Sequence, residues 1–374
     1  MIDELKNFES NTILELRYPP FLFSKKTQNI VVNDIINRSL LNLLLKDNGE
    51  IIIETHTIET ALCGELIAQK LNCKHFIFLL QEFFGKTPVS IMDYLDFKHK
   101  RKELVGISKK SLELLFKNYK TLHVNEKYSL KAVCSTNIVE DVDNPIIDNI
   151  SKMDINIGCI SRLEKSFINT MIDEIVYFAK RNKNKNIQLI LIGGAPNISI
   201  EQNIIKKVKN AENIKLIMMG QMFPIPRKLF RIMDIFIGVS GSSHVSAYEG
   251  VLSMTLDVQS HKPIGLLGYD TQEFLYASSG TNTSISTVLE NVLIKRQLQN
   301  QNINIKLESI DFRKEFNNHL DFIRSSAKDK EYHTISIMDI GVKNMIKKVL
   351  ITIMGIKGYE NLLKLMQKRK DQRI

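Results

Sequence analysis

Four short segments of this sequence place cations, glycines and small hydroxyl residues where a β-strand would hand over to a helix. They are Ser161-Arg162-Leu163-Glu164-Lys165, Gly193-Gly194-Ala195-Pro196, Met219-Gly220-Gln221-Met222 and Ser240-Gly241-Ser242-Ser243-His244. Each alone is weak, since a basic loop is usually solvated and a Gly-Gly pair is usually just a turn. Together they supply two cations to neutralise phosphate charge, close backbone approach at Gly193 and Gly194, and helix N-terminal N–H groups that can receive a diphosphate. That combination suits a nucleoside diphosphate sugar.

These segments can act together only if the strands before them lie in one sheet, because open parallel sheets bind ligands at the carboxyl ends of their strands. Apolar runs at 155–160, 187–192, 214–218 and 235–239 read as strands, and helical periodicity covers 168–181, 200–209, 227–233 and 245–251. The earlier chain reads the same way, with strands at 50–53, 75–80, 104–107 and 121–124, a helix at 58–71 and another opening at Ser108. Several runs are continuously apolar, as expected of strands covered on both faces. Around 142–152 the pattern lapses into a polar stretch with Asn144-Pro145. The reading therefore divides the chain into a first α/β domain at 1–150, a second at 151–325, and a basic amphipathic helical tail at 326–374. The first forty residues contain no glycine, so the first domain is expected to be shortened, with 12–16 and 29–32 replacing its usual opening strand and turn.

Composition bounds the function. A chain of 374 residues with 44% hydrophobic and 25% charged residues fits two globular domains. No apolar run reaches the ~18–20 residues needed to span a bilayer, and the start, MIDELKNFES, carries acids where an export signal would be basic. A cytoplasmic location is expected. Cys63, Cys73, Cys134 and Cys159 are scattered without a CxxC pair, so free thiols are expected. GxGxxG is absent, which argues against a dinucleotide-dependent dehydrogenase. Of the net +10, a net +7 lies in 343–374, where nine Lys/Arg face only Glu360 and Asp371. Arginines are not interleaved with aromatic residues as in a base-stacking platform, so the expected partner is an anionic membrane surface on the inner face of the plasma membrane, not a nucleic acid.

The series INIGCISRLEK, IQLILIGGAP, NIKLIMMGQM and MDIFIGVSGSSHVSAYEG resembles the donor-binding half of the GT-B glycosyltransferases of group 1, or family four. The likeness is good over 154–250 and looser over 50–124. LDVQSHKPIGLLGYDT, at 256–271, is similar to a subgroup from capsule and surface-polysaccharide gene clusters. The resemblance implies an α/β chain of two Rossmann-like domains, the N-terminal one shortened. It implies that Arg162 and Lys165 hold the diphosphate and stabilise the leaving group, that Gly220, Gln221 and Met222 contact the base, and that Gly241, Ser242 and Ser243 face the phosphates and sugar. The group's pair of glutamates seven residues apart is missing; Glu249, the only acid between Ile235 and Thr255, stands among the donor-binding residues in its place. On the acceptor side the resemblance points to His56 and Glu82 as acid/base groups at strand ends. No cofactor and no metal are expected beside the nucleotide-sugar donor. The implied reaction moves a sugar to a lipid-linked glycan acceptor in surface polysaccharide synthesis. The alternatives are a nucleotide-sugar epimerase of the same fold and a degenerate, non-catalytic partner subunit.

Overall fold

The computed structural model describes residues 29–30, 32–33, 35–37, 51–80, 87, 89–119, 128–130, 139–277, 283–297, 312–327, 329–333 and 341–371. The chain forms two compact units, Met1–Ala132 with Arg313–Ile374, and Val133–Phe312. The units divide near 132 and 312, where the sequence reading set boundaries at 150 and 325. Both are α/β with parallel strands, the class expected.

In the first unit, β1 (Ile52–Thr55), β2 (Lys74–Leu79) and β3 (Leu104–Gly106) pair in parallel in that order. They are separated by α1 (Ile58–Leu71) and α2 (Val89–Lys100), and α3 (Lys109–Phe116) follows. The caps explain the helix starts: Thr57 and Thr60 form a reciprocal box at α1, and Ser108 and Ser111 do so at α3. α1 stops at Asn72, which takes a left-handed φ of 50°. The described residues of 29–37 are helical, not strand. Val32, Ile35 and Ile36 are buried there at helical spacing. The expected strands at 12–16 and 121–124, with Cys134, lie outside the described residues. Cys63, Cys73 and Cys159 are free thiols, and burial pushes Cys63 and Cys159 up to about 12.

The core of this unit contains charges. Lys98 Nζ lies 2.7 Å from Glu65 Oε2 and 3.0 Å from Glu103 Oε2, with both carboxylates and the ammonium almost fully buried. His75 Nδ1 is 2.7 Å from the same Glu65 oxygen, and His75 Nε2 is 2.9 Å from Thr55 Oγ1. Burial opposes the charge on Glu65, but His75 and Lys98 outweigh it and hold the carboxyl below its ordinary range. Burial likewise holds His75 below its ordinary value, so it is neutral: Nδ1–H donates to Glu65 and Nε2 accepts from Thr55. α2 went unread as a helix in the sequence because this buried lysine falls in Asp96–Lys100, where four of five residues are polar.

The second unit starts with β4 (Val139–Glu140) and a short helix α4 (Pro145–Asp148). Then come β5 (Ile155–Ile160), α5 (Ser166–Arg181), β6 (Ile187–Ile192), α6 (Ile198–Val208), β7 (Ile214–Met218), β8 (Ile225–Pro226), α7 (Lys228–Ile232), β9 (Ile235–Gly238), α8 (Gly241–Tyr248), β10 (Leu252–Leu256), β11 (Pro263–Leu267) and α9 (Ile285–Leu289). The main sheet runs β11-β10-β9-β5-β6-β7, parallel throughout except for β11. α5 packs Phe167, Ile168, Met171, Ile172, Ile175 and Ala179 onto one face, and these side chains join Ile157, Leu189, Ile237 and Met254 in one core. Successive strands leave β5 first through β6 and β7 and later on its other side through β9 and β10. The strand order therefore reverses between β5 and β9.

The last two helices, α10 (Phe312–Ser325) and α11 (Gly341–Asp371), belong to the first unit from Arg313 onward. The segment between them is tied to the buried charges. Arg101 Nη1 reaches Asp329 Oδ2 at 2.9 Å and Glu331 Oε2 at 3.0 Å, and His333 N–H donates to Glu65 Oε1 at 2.8 Å. Tyr332 OH donates to the Cys73 carbonyl at 2.9 Å.

Candidate functional site

The reversal between β5 and β9 is the point where an open α/β sheet offers a crevice at the strands' carboxyl ends. Adjacent strands lie about 4.8 Å apart, so the loops leaving β5 and β9, and the helix N-termini they feed, are neighbours. Neither helix has a side-chain cap, and neither has an acid in its first turn. α5 instead has Lys165 at its N-cap position. A lysine there opposes the helix dipole, which favours negative charge at this end. Lys165 is half-buried, whereas Arg162 is 70% exposed, with Glu164 Oε1 at 3.3 Å from its Nη1. The result is a cationic, donor-rich edge suited to an anion.

The glycine loops are tied to this edge by backbone bonds. Ser161 N–H donates to the Ile192 carbonyl at 2.9 Å, Leu163 N–H to Gly194 at 3.0 Å, and Gly193 N–H to Gly220 at 2.7 Å. Gly193 has φ +142°, and a Cβ added there would fall 1.9 Å from the Ser161 carbonyl oxygen. No other residue fits. A Cβ on Gly194 would meet the Gln221 side chain at 3.1 Å, so the second and third loops also touch. Gln221 is exposed, while Met222 packs partly against the apolar cluster of Phe230 and Phe236. The structure thus gathers Arg162, Lys165, Gly193, Gly194, Gly220 and Gln221 along one run of strand ends.

The last loop is built differently from expectation. α8 begins at Gly241, four residues before the expected start, because Ser240 adopts φ 57° and the following small residues continue as helix. Ser242 Oγ donates to the Val239 carbonyl at 2.9 Å. The Ser243 side chain is fully buried, so the backbone N–H groups of Gly241 and Ser242, not the Ser242 and Ser243 hydroxyls, are what the start of this helix offers. Glu249 is at the opposite end of α8, about 12 Å along the helix axis, with its carboxylate 2.5 Å from Arg227 Nη1. It is not brought to the donor edge; the spacing of one helix length separates them. One Asp-x-Asp spacing, Asp141–Asp143, is present in the sequence. Asp141 is engaged by Arg227 Nε at 3.2 Å and Arg231 Nη2 at 3.9 Å.

A residue that the sequence reading passed over lies at the same edge. The turn between β10 and β11 presents His261, whose Nε2 is 2.9 Å from Ser166 Oγ in the first turn of α5. Asp257 shapes the turn: its carboxylate accepts from Gln259 N–H at 3.0 Å, Ser260 N–H at 2.7 Å, Ser260 Oγ at 3.0 Å and Ala277 N–H at 2.9 Å. His261 takes φ 57° and its N–H donates to the Asp257 carbonyl at 2.8 Å. The only hint in the sequence was Asp257 four residues before His261 in a β-hairpin connection. Burial opposes ionisation of Asp257, but the bonds from Ser260, Ala277 and Gln259 prevail and hold its carboxyl below the usual value. A depressed folded-state value means that the stabilisation is present above the unfolded value and is lost as pH falls through the folded one. Asp257→Asn should therefore melt below wild type at neutral pH, with the gap closing in acid as wild-type Asp257 takes up its proton. A constant gap across the titration would show that ionisation of this carboxyl does not organise the turn.

In the first unit, His56 follows β1 at its carboxyl end, and its side chain is half-exposed. Its Nδ1 lies 3.3 Å from the Phe78 carbonyl and its Nε2 lies 3.6 Å from Glu54 Oε1. The carbonyl can only accept, so Nδ1 is the donor in that bond, and Nε2 faces Glu54. Glu54 also meets His319 Nε2 of α10 at 3.1 Å. Glu82 lies outside the described residues.

No protein-family model and no curated protein sequence matches the chain. Among solved structures it is similar to HepE from Anabaena in complex with UDP-glucose, at 12% identity over 72% of this chain and 72% of that chain, with a TM-score of 0.46. It is also similar to MnaA from S. aureus with UDP, at 12% identity over 87% of this chain and 84% of that one, TM-score 0.43. A third is UDP-GlcNAc 2-epimerase from Methanocaldococcus jannaschii with UDP-GlcNAc and UDP, at 14% identity over 83% and 85%, TM-score 0.40.

Proposed function

We propose that the chain is a glycosyltransferase that takes a sugar from a nucleoside diphosphate donor and passes it to a glycan acceptor, lipid-linked and destined for a bacterial surface polysaccharide. The observation that carries the reading is the meeting of two uncapped helix N-termini with Lys165 and Arg162 at the strand-order reversal. In this reading the diphosphate is held by the N–H groups of α5 and α8, with Lys165 and Arg162 beside it. Gly193, Gly194 and Gly220 let the nucleotide come close to the backbone, and Gln221 faces the base. As the bond from the anomeric carbon to the diphosphate oxygen breaks, negative charge grows on that oxygen, and the helix ends and both cations stabilise it. The acceptor hydroxyl oxygen bonds to the anomeric carbon and its proton passes to a general base, the role that the family resemblance gives to His56 and Glu82.

The test is a thermal-shift panel of UDP-, GDP- and CMP-sugars, followed by product analysis with the donor that shifts most. A ligand at a hundred times its dissociation constant should stabilise by roughly 2.7 kcal/mol. Arg162→Ala and Lys165→Ala should each weaken binding about tenfold, the size of one charge-assisted hydrogen bond. Their ligand-free melting should stay near wild type, because Arg162 is exposed and contributes little to stability and Lys165 sits where its charge opposes the helix dipole. Interconversion of sugar epimers without an acceptor would replace transfer with epimerisation. Donor binding with neither product would point to a non-catalytic subunit.

A further inference from the structure

The helix α11 carries apolar side chains on the wrong side. Ile351 and Tyr359 are buried in the core of the first unit, which fixes the inward face of the helix. A surface helix normally turns charged residues to the opposite side. Here Met345, Val349 and Ile353, spaced four apart, form a stripe with Ile346 beside it, and all four are exposed, Ile353 by 75%. Gly355, at φ 69° and ψ 171°, interrupts the helical backbone, and beyond it Leu363 and Met366 are again exposed. No described residue covers this stripe. The same stretch holds the chain's main excess of positive charge, nine Lys/Arg against two acids over 343–374.

We infer that the outward face of α11 docks on an anionic lipid bilayer, lying in the interface with its apolar stripe among the acyl chains and the net positive charge of 343–374 drawing the segment to the headgroups. An exposed apolar face in a segment with this excess of positive charge matches a surface that is itself apolar below a layer of negative charge. No helix among the described residues is long and apolar enough to cross a membrane, and the buried Ile351 and Tyr359 keep α11 attached to its unit, so the contact is peripheral. This inference does not depend on the donor site, and its test uses no nucleotide.

The full chain is floated with phosphatidylcholine vesicles and with vesicles that also contain phosphatidylserine, at low and high salt. Binding should require the anionic lipid and weaken as salt rises. The variant Ile346→Glu/Ile353→Glu, which changes exposed positions only, should melt like wild type yet bind at least about tenfold more weakly. Equal binding of the variant and wild type would overturn the inference, since general basic charge would then suffice. So would absence of binding to either vesicle. Sedimentation that shows a wild-type dimer and a monomeric variant would also overturn it, because a second copy would then cover the stripe.

Discussion

Lys98→Met is expected to destabilise the first unit by about 3–5 kcal/mol, the typical cost of leaving a buried charge without its partner. Met matches the lysine's length and keeps the apolar stem packed, so volume is not the issue. The ammonium bridges Glu65 and Glu103 at 2.7 and 3.0 Å, and all three groups are almost fully buried. Without it Glu103 retains Arg101 at 3.2 Å, but Glu65 is left, among the described residues, with uncharged partners: the His75 N–H, the Tyr94 hydroxyl and the His333 backbone N–H. Its carboxyl would then rise toward protonation. Because Glu65 and Arg101 also hold the 329–333 segment, that segment should be cleaved sooner in limited proteolysis. Chemical denaturation read by a probe in the first unit gives the free energy. A change below about 1 kcal/mol would mean that water reaches these charges and that the pair behaves like a surface one.

Gly193→Ala should cost roughly 3 kcal/mol or more and remove nucleotide binding with it. The added methyl would fall 1.9 Å from the Ser161 carbonyl oxygen, at a backbone φ of +142° that side chains rarely adopt. Relief requires the loop to move away, which breaks the Gly193 bond to Gly220 at 2.7 Å and the neighbouring Leu163 bond to Gly194 at 3.0 Å. Those bonds hold three of the four loops together. Gly220→Ala is the internal comparison. Gly220 also has a positive φ, +69°, but nothing lies within 4 Å of its missing Cβ. Its cost should be the left-handed backbone penalty alone, about 1–2 kcal/mol. Thermal melting and nucleotide titration of both variants check the contrast; equal effects would show that the close approach to Ser161 is not what Gly193 serves.

The second unit was legible because its strands are continuously apolar and short, so the strand ends, and hence the loops, could be placed from the sequence. Runs at 155–160, 187–192 and 214–218 became β5, β6 and β7 with those bounds. What hydrophobic patterning could not give is the order of strands, and that order is what brings Lys165 beside Gly241. The start of α8 was missed because Gly-Ser-Ser favours loops by propensity and only a left-handed Ser240 makes it helical. Glu249 was put among the donor-binding residues by the resemblance alone, and with the helix running Gly241–Tyr248 it stands at the C-terminal cap. His261 was invisible because its approach to Ser166 joins residues 95 apart in sequence. In the first unit a buried Lys98 and Glu65 defeat any rule that sends charge to the surface, and their compensation by partners from α1, α2 and the strand ends is a tertiary fact.

The central claim, that the β5/β9 edge holds a nucleoside diphosphate, is tested most directly by calorimetric titration. The nucleoside diphosphate of the most stabilising donor is compared with its monophosphate, on wild type and on Arg162→Ala/Lys165→Ala. Two lost charge contacts of about 1.5–3 kcal/mol each predict at least a hundredfold weaker diphosphate binding in the double variant. They also predict a wild-type preference for diphosphate over monophosphate that the variant largely loses. Equal diphosphate affinity in the two proteins, or an equal response to monophosphate and diphosphate in wild type, would contradict the account.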